Sequence, residues 1–231
     1  MRKARKVRAP RKHNRIIGTL TGPLERRVLQ WLAARLPAWV MPDHLTALSL
    51  AASALIAVSY LLAARQPGFL WLACLGFVIN WFGDSLDGTL ARFRKIERPR
   101  YGFFVDHSVD AAGEAMVFFS LGLSSYVRFE IAAVALVGYL LLSIYTTLST
   151  YAVGEFKISY AYLGPTEVRL LGILSSIWVF YQPGRFIHLL GGAFTFFELI
   201  VLGLTLLFYA AFVFSTVGQL INLASLEPPR K

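Results

Sequence analysis

Four stretches of this chain contain no charged residue: 45–64, 66–83, 131–154 and 199–226, of twenty, eighteen, twenty-four and twenty-eight residues. A helix of about 20 apolar residues crosses the hydrocarbon core of a bilayer while satisfying its own backbone hydrogen bonds. Hydrophobic residues make up 56% of the 231 and charged residues 16%, which excludes a disordered chain and argues against a water-soluble domain. Two shorter candidates, 103–126 and 166–183, each carry charge at their start. Counting them predicts an all-α integral membrane protein of six transmembrane helices.

Lys and Arg counts orient the spans. Eight basic residues precede residue 16, and Arg94, Lys95, Arg98 and Arg100 follow the second span. Lys157 and Arg169 follow the fourth span, and the chain closes on Arg230 and Lys231. The opposite loops hold one basic residue each, Arg65, Arg128 and Arg185. Both termini and the 93–101 and 151–165 loops are therefore expected to be cytoplasmic. The net charge of +10 follows largely from this asymmetry. The basic tail has no aromatic interleaving and no folded scaffold, so nucleic acid is excluded in favour of anionic headgroups.

The first long apolar run begins only at Leu45, so the N-terminus is expected to stay attached as the first span rather than leave as a signal. The single cysteine, Cys74, lies inside the second span and offers no intrachain disulfide. The chain divides into a flexible basic tail (1–20), an amphipathic interfacial helix (21–42), a six-helix catalytic unit (43–226) and a cytoplasmic tail (227–231). In the second of these, Leu24, Val28, Trp31, Leu32 and Leu36 share one face, with Arg26, Arg27 and Arg35 away from it or at its edges. That pattern suits a helix lying in the membrane plane.

Acidic residues are costly near lipid, yet Asp84, Asp87, Asp106 and Asp110 sit where the second and third spans meet. Asp84 lies roughly 27 Å along span two, near the cytoplasmic interface. Asp84 and Asp87 are one helical turn apart, with Gly88 and Ala91 completing the face. Gly102, Asp106, Asp110 and Glu114 follow at steps of four on span three. A turn through Pro99 brings the two faces together. Gly88, Ala91 and Gly102 leave space either for close helix approach or for a ligand, and Arg92 supplies a cation to a phosphate. Hard oxygen donors suit Mg²⁺ or Mn²⁺. One or two such ions would neutralise a pyrophosphate during phosphoryl transfer.

The pattern Asp84-x-x-Asp87-Gly88-x-x-Ala91-Arg92, followed by Gly102-x-x-x-Asp106-x-x-x-Asp110, resembles the signature of the CDP-alcohol phosphotransferase (phosphatidyltransferase) family. The nine residues between Arg92 and Gly102 slightly exceed the usual separation, a difference confined to the connecting turn. The six-span plan and amphipathic N-terminal helix also resemble that family. The resemblance implies transfer of a substituted phosphate from a CDP-linked donor to an alcohol, with release of CMP, in phospholipid synthesis. It implies Asp84, Asp87 and Asp106 as metal ligands for two ions, Mg²⁺ or Mn²⁺, with Asp110 as a further ligand or the base. Gly88, Ala91, Arg92 and Gly102 would line the nucleotide pocket. Thr46 would join them, in an entry segment where Asp43 replaces the family's Asn. A homodimer is also implied.

Two further features bear on the substrate. His107 and Glu167, the latter within Gly164-Pro165-Thr166-Glu167, are similar to reaction-centre positions of the choline and ethanolamine phosphotransferases. Equally, His107 is a residue on a helix face and Glu167 favours a helix N-terminus. The favoured donor is CDP-diacylglycerol with a small alcohol acceptor; the alternative is an aminoalcohol phosphotransferase acting on diacylglycerol. A divalent-cation carrier is the rival from another class, opposed by the absence of an acidic path through spans four to six.

Overall fold

A computed structural model describes residues 14–16, 22–153, 155–157, 164–189 and 191–227. All but residues 14–16 of the basic tail expected at 1–20, residues 154 and 158–163 of the 151–165 loop, and all but the first residue of the 227–231 tail lie outside them. Among the described residues seven helices carry the fold: α1 (Gly22–Ala33), α2 (Pro42–Ala63), α3 (Phe69–Arg94), α4 (Pro99–Leu123), α5 (Phe129–Val153), α6 (Pro165–Tyr181) and α7 (Phe196–Leu226). Two short pairings accompany them. Strand β1 (Asn14–Ile16) runs parallel to β2 (Glu155–Lys157), and β3 (Phe186–Leu189) pairs antiparallel with β4 (Gly192–Thr195) between α6 and α7. At four residues each, β3 and β4 are too brief to leave a readable alternation.

The helix ends follow local chemistry. Pro42, Pro99 and Pro165 each open a helix at a position whose N–H would have no intrahelical acceptor. Thr195 caps α7: its Oγ1 accepts from the Glu198 backbone N–H at 3.0 Å, and the Glu198 carboxylate accepts from the Thr195 N–H at 2.9 Å. Lys95 ends α3 in the left-handed region, φ 57°, and its reversal lets α4 return from Pro99 only a few residues later. The longer separation between Arg92 and Gly102 is taken up there, with Gly102 already in the first turn of α4.

Four helices, α2, α3, α5 (as Phe129–Ala152) and α7, are long and apolar enough to cross a membrane. The other two expected spans differ for separate reasons. Helix α4 has 25 residues but carries Asp106, Asp110 and Glu114, while α6 has only 17, with Glu167 and Arg169 near its start.

Helix α2 packs along α3 and α4, α5 joins α4 to α7, and α6 lies against α3 and α7. The main core centres on Tyr60, fully buried, whose ring meets Phe77 and Phe197 edge-on and whose hydroxyl is 3.0 Å from Ser176 Oγ. The last third of the chain is rich in phenylalanine residues. The fold separates them, with Phe197 and Phe208 in the core and Phe214 exposed.

Close backbone approach comes from glycines other than those singled out in the motif. A Cβ on Gly83 would lie 2.6 Å from the Leu45 carbonyl oxygen and 2.8 Å from Ser49 N, so α2 and α3 touch backbone to backbone beside Asp84. By contrast, a Cβ on Gly88 would meet only the Arg92 guanidinium, at 3.2 Å, and one on Gly102 would meet nothing within 4 Å. Neither of these two is a point of helix–helix contact.

A second cluster joins Leu29 and Ala33 of α1 to Leu45, Leu86 and Leu90, with Leu32 and Leu36 packed against it. The five residues read as one membrane-facing surface are therefore divided: Leu24, Val28 and Trp31 are exposed, whereas Leu32 and Leu36 turn toward α3. Apolar side chains occupy more than one side of α1, so periodicity alone did not say which stripe would find a partner. Arg94 closes this corner, donating to the carbonyls of Val40 (2.5 Å), Pro37 (2.9 Å) and Leu36 (3.0 Å).

Candidate metal and nucleotide site

Helices α3 and α4 bring Asp84, Asp106 and Asp110 together, with one carboxylate oxygen from each lying within 4.8 Å of the others. All three are half-buried. Around a single Mg²⁺, with oxygens at about 2.1 Å, opposite donors stand roughly 4 Å apart, and paired ions in two-metal sites lie about 3.5–4 Å apart. A spread of 4.8 Å in a purely hard-oxygen donor set fits either arrangement after small side-chain rotations.

Asp87 stands outside that group. It is buried, accepts from Thr46 Oγ1 at 2.6 Å and makes a second, short hydrogen bond with the Gly88 backbone N–H. Thr46, read from the sequence as a nucleotide contact, is buried and touches Asp87. Its neighbours have other partners: Asp43 pairs with Arg98 from the α3–α4 turn, and His44 Nδ1 accepts from Met41 N at 3.3 Å.

Arg92 lies over Gly88 and donates to Thr89 Oγ1 at 3.2 Å. Ala91 is half-buried and Gly102 exposed on the turn side. His107 stacks on Phe103 at 4.2 Å between centroids, and its Nδ1 is 3.7 Å from Asp106 Oδ2, beyond hydrogen-bond reach. Glu167 is buried, with Oε2 accepting from Gly164 N at 2.9 Å, which satisfies an open N–H at the start of α6.

The sequence missed the residues behind the aspartates. Arg169, from α6, donates through Nη2 to Asp84 Oδ2 and through Nε to Asn80 Oδ1, both at 2.6 Å. Asn80 in turn donates to the Ser49 carbonyl and to Ser53 Oγ, each at 3.0 Å. Beneath the three aspartates, Ser49, Ser53, Asn80, Asp110, Glu114 and Arg169 line a polar cavity about the size of one water molecule. Arg169 Nη1 is buried there without a protein partner. Glu114, four residues beyond Asp110 on the same helix face, lines this cavity. A signal was available: Asn80 is a polar residue inside a charge-free run, one helical turn before Asp84. Arg169 is an ionisable residue inside an apolar segment, and such a residue calls for a named partner.

Arg169 pairs with Asp84, and Asp106, Asp110 and Glu114 add further carboxyl groups to the same cluster. That arrangement can hold a divalent ion and, through it, a phosphate. The family model described as CDP-alcohol phosphatidyltransferase matches residues 39–217, from just before α2 into α7, and the match encloses every residue of this group.

Proposed function

This chain belongs to the CDP-alcohol phosphatidyltransferase family, and from that premise we propose that it transfers a substituted phosphate from CDP-diacylglycerol to a small alcohol, releasing CMP. The observation that carries the proposal is the convergence of Asp84, Asp106 and Asp110 from two helices. Asp84, Asp87 and Asp106 would hold the metal, with Asp110 as a further ligand or as the base. Mg²⁺ or Mn²⁺, as two ions, would neutralise the pyrophosphate and the departing CMP. Gly88, Ala91 and Gly102 leave room for the nucleotide against the backbone, Arg92 meets a phosphate, and Thr46 acts on this pocket through Asp87. The acceptor oxygen bonds to the phosphorus that carries the diacylglycerol, and the bridging P–O bond breaks. CMP leaves with that electron pair, and with Asp110 as base the hydroxyl proton passes to its carboxylate.

The aminoalcohol reading has one observation in its favour, the position of His107 beside Asp106. The Glu167 carboxylate accepts from Gly164 N at the start of α6, a contact that favours neither donor. Purified protein offered CDP-diacylglycerol or CDP-choline, each with a panel of alcohols including diacylglycerol, should release CMP from the first. Release from CDP-choline alone, lost in His107→Ala, would establish the aminoalcohol activity instead. A cation carrier finds no support beyond Glu114, where the interior continues through Phe118, Leu121 and Tyr60.

The proposed membrane arrangement counts α4 and α6 as spans, giving six, with α1 in the interface and both termini and the site cytoplasmic. The unit boundaries remain those read from the sequence: tail 1–20, interfacial segment 21–42, catalytic unit 43–226 and tail 227–231. In a Cys74→Ala background, an impermeant thiol reagent should label Arg185→Cys from the outside and Ala4→Cys only after the membrane is opened. Labelling of both from one side would overturn this topology.

A further inference from the structure

Helix α1 contributes no acidic residue to the aspartate group and precedes the part of the chain matched by the family model. Its Glu25 nevertheless reaches both helices behind Asp84. One carboxylate oxygen, Oε1, accepts from Trp81 Nε1 at 2.8 Å and Ser85 Oγ at 3.1 Å on α3, and from Thr166 Oγ1 at 2.8 Å on α6. Hydrogen bonds to a carboxylate are shorter and stronger than those between neutral groups, and three donors converging on one oxygen fix its position.

The placement of those donors gives the contact its meaning. Ser85 follows Asp84 directly and lies two residues before Asp87. Thr166 lies three residues before Arg169, whose guanidinium holds Asp84 at 2.6 Å. The Arg169–Asp84 pair therefore depends on the spacing of α3 and α6, and Glu25 binds a hydroxyl on each. The apolar seat of α1, Leu29 and Ala33 against Leu86 and Leu90, lies further along the helix. Removing the carboxylate would free the seam between α3 and α6 without taking away the cluster that seats α1.

We propose that Glu25 is a positioning residue for the aspartate group. It holds α3 and α6 at the spacing in which Arg169 fixes Asp84, and so sets the shape of the metal site from outside it. The proposal rests on the metal-site reading above.

The test compares Glu25→Ala, Glu25→Gln and Leu24→Ala in the full-length protein. Leu24 is the exposed neighbour. Two readouts are taken: Mn²⁺ affinity by electron paramagnetic resonance, with the metal alone, and backbone hydrogen exchange over residues 84–88 and 165–169. Loss of a residue supporting metal ligands typically weakens metal binding about 10–100-fold. Glu25→Ala should show a loss in that range and faster exchange in both segments. Glu25→Gln keeps a carbonyl oxygen for the same donors and should recover most of the affinity; Leu24→Ala should match the parent. Parent-like exchange in both segments of Glu25→Ala would overturn the proposal, as would parent-like Mn²⁺ affinity where the parent binds the ion. If the parent itself binds no Mn²⁺, the metal reading fails, and the exchange data alone decide whether Glu25 holds the seam.

Discussion

Asp106→Asn should lower turnover at least about a thousandfold, equivalent to roughly 4 kcal/mol of lost transition-state stabilisation, without unfolding the protein. Asparagine matches aspartate in size but removes the charge that would hold the metal. Asp84→Asn and Asp87→Asn should be comparably inactive, and a chelator should silence the parent. Stability should separate these variants. Asp106 shares its site with two other carboxylates, so its neutralisation relieves repulsion there in the metal-free state and should lower the melting temperature less than Asp84→Asn does. Asp84 answers Arg169, so Asp84→Asn should lower it. Turnover assays with thermal unfolding in detergent check both parts. Active aspartate variants, or activity that survives the chelator, would refute the metal assignment.

Arg169→Met should destabilise the protein by about 3–5 kcal/mol, the range expected when one partner of a buried ion pair is removed. Arg169 is buried, paired with Asp84 and hydrogen-bonded to Asn80, and it faces Asp110 and Glu114 across the small cavity. Methionine fills similar space but leaves those carboxylates without their shared cation. Arg169→Lys keeps the charge while losing the forked geometry that binds Asp84 and Asn80 together, so its stability should fall between the two. Turnover should follow the same order. Equal unfolding temperatures for Arg169→Met and the parent would show that the pair contributes nothing to the bundle.

The meeting of Asp84, Asp106 and Asp110 was legible because chemistry and periodicity coincide in them, whereas the partners of Asp87, Thr46 and the Gly88 N–H, were not. Carboxylates are expensive near lipid, and the spacings Asp84–Asp87 and Asp106–Asp110 place each pair on one face of a helix. The turn between them was equally plain, from Pro99 and the short charged loop. Other contacts were hidden because they join residues far apart in sequence. Nothing local to Arg169 names Asp84, and nothing local to Glu25 names Ser85 and Thr166. The glycines illustrate the same limit. Gly83 sets the contact of α2 with α3 through backbone atoms near Leu45 and Ser49, and no periodicity encodes that closeness. In α1, apolar residues on more than one side hid the division between the stripe that meets α3 and the stripe that remains exposed. Thr46 and Glu167 drew attention by their motifs, yet their observed partners are Asp87 and the α6 N-terminus. Local sequence reported which residues were unusual, and only the packing reported what each one touches.

Metal-dependent transfer from a CDP-linked lipid must register as CMP release. Purified protein in lipid, given CDP-diacylglycerol, a panel of small polar alcohols and Mg²⁺ or Mn²⁺, should release CMP in step with formation of the new phospholipid. Release should stop on chelation, return when the metal is restored, and be missing from Asp106→Asn. Release of no CMP from any CDP-linked donor, or release unchanged by chelation and by Asp106→Asn, would contradict the account.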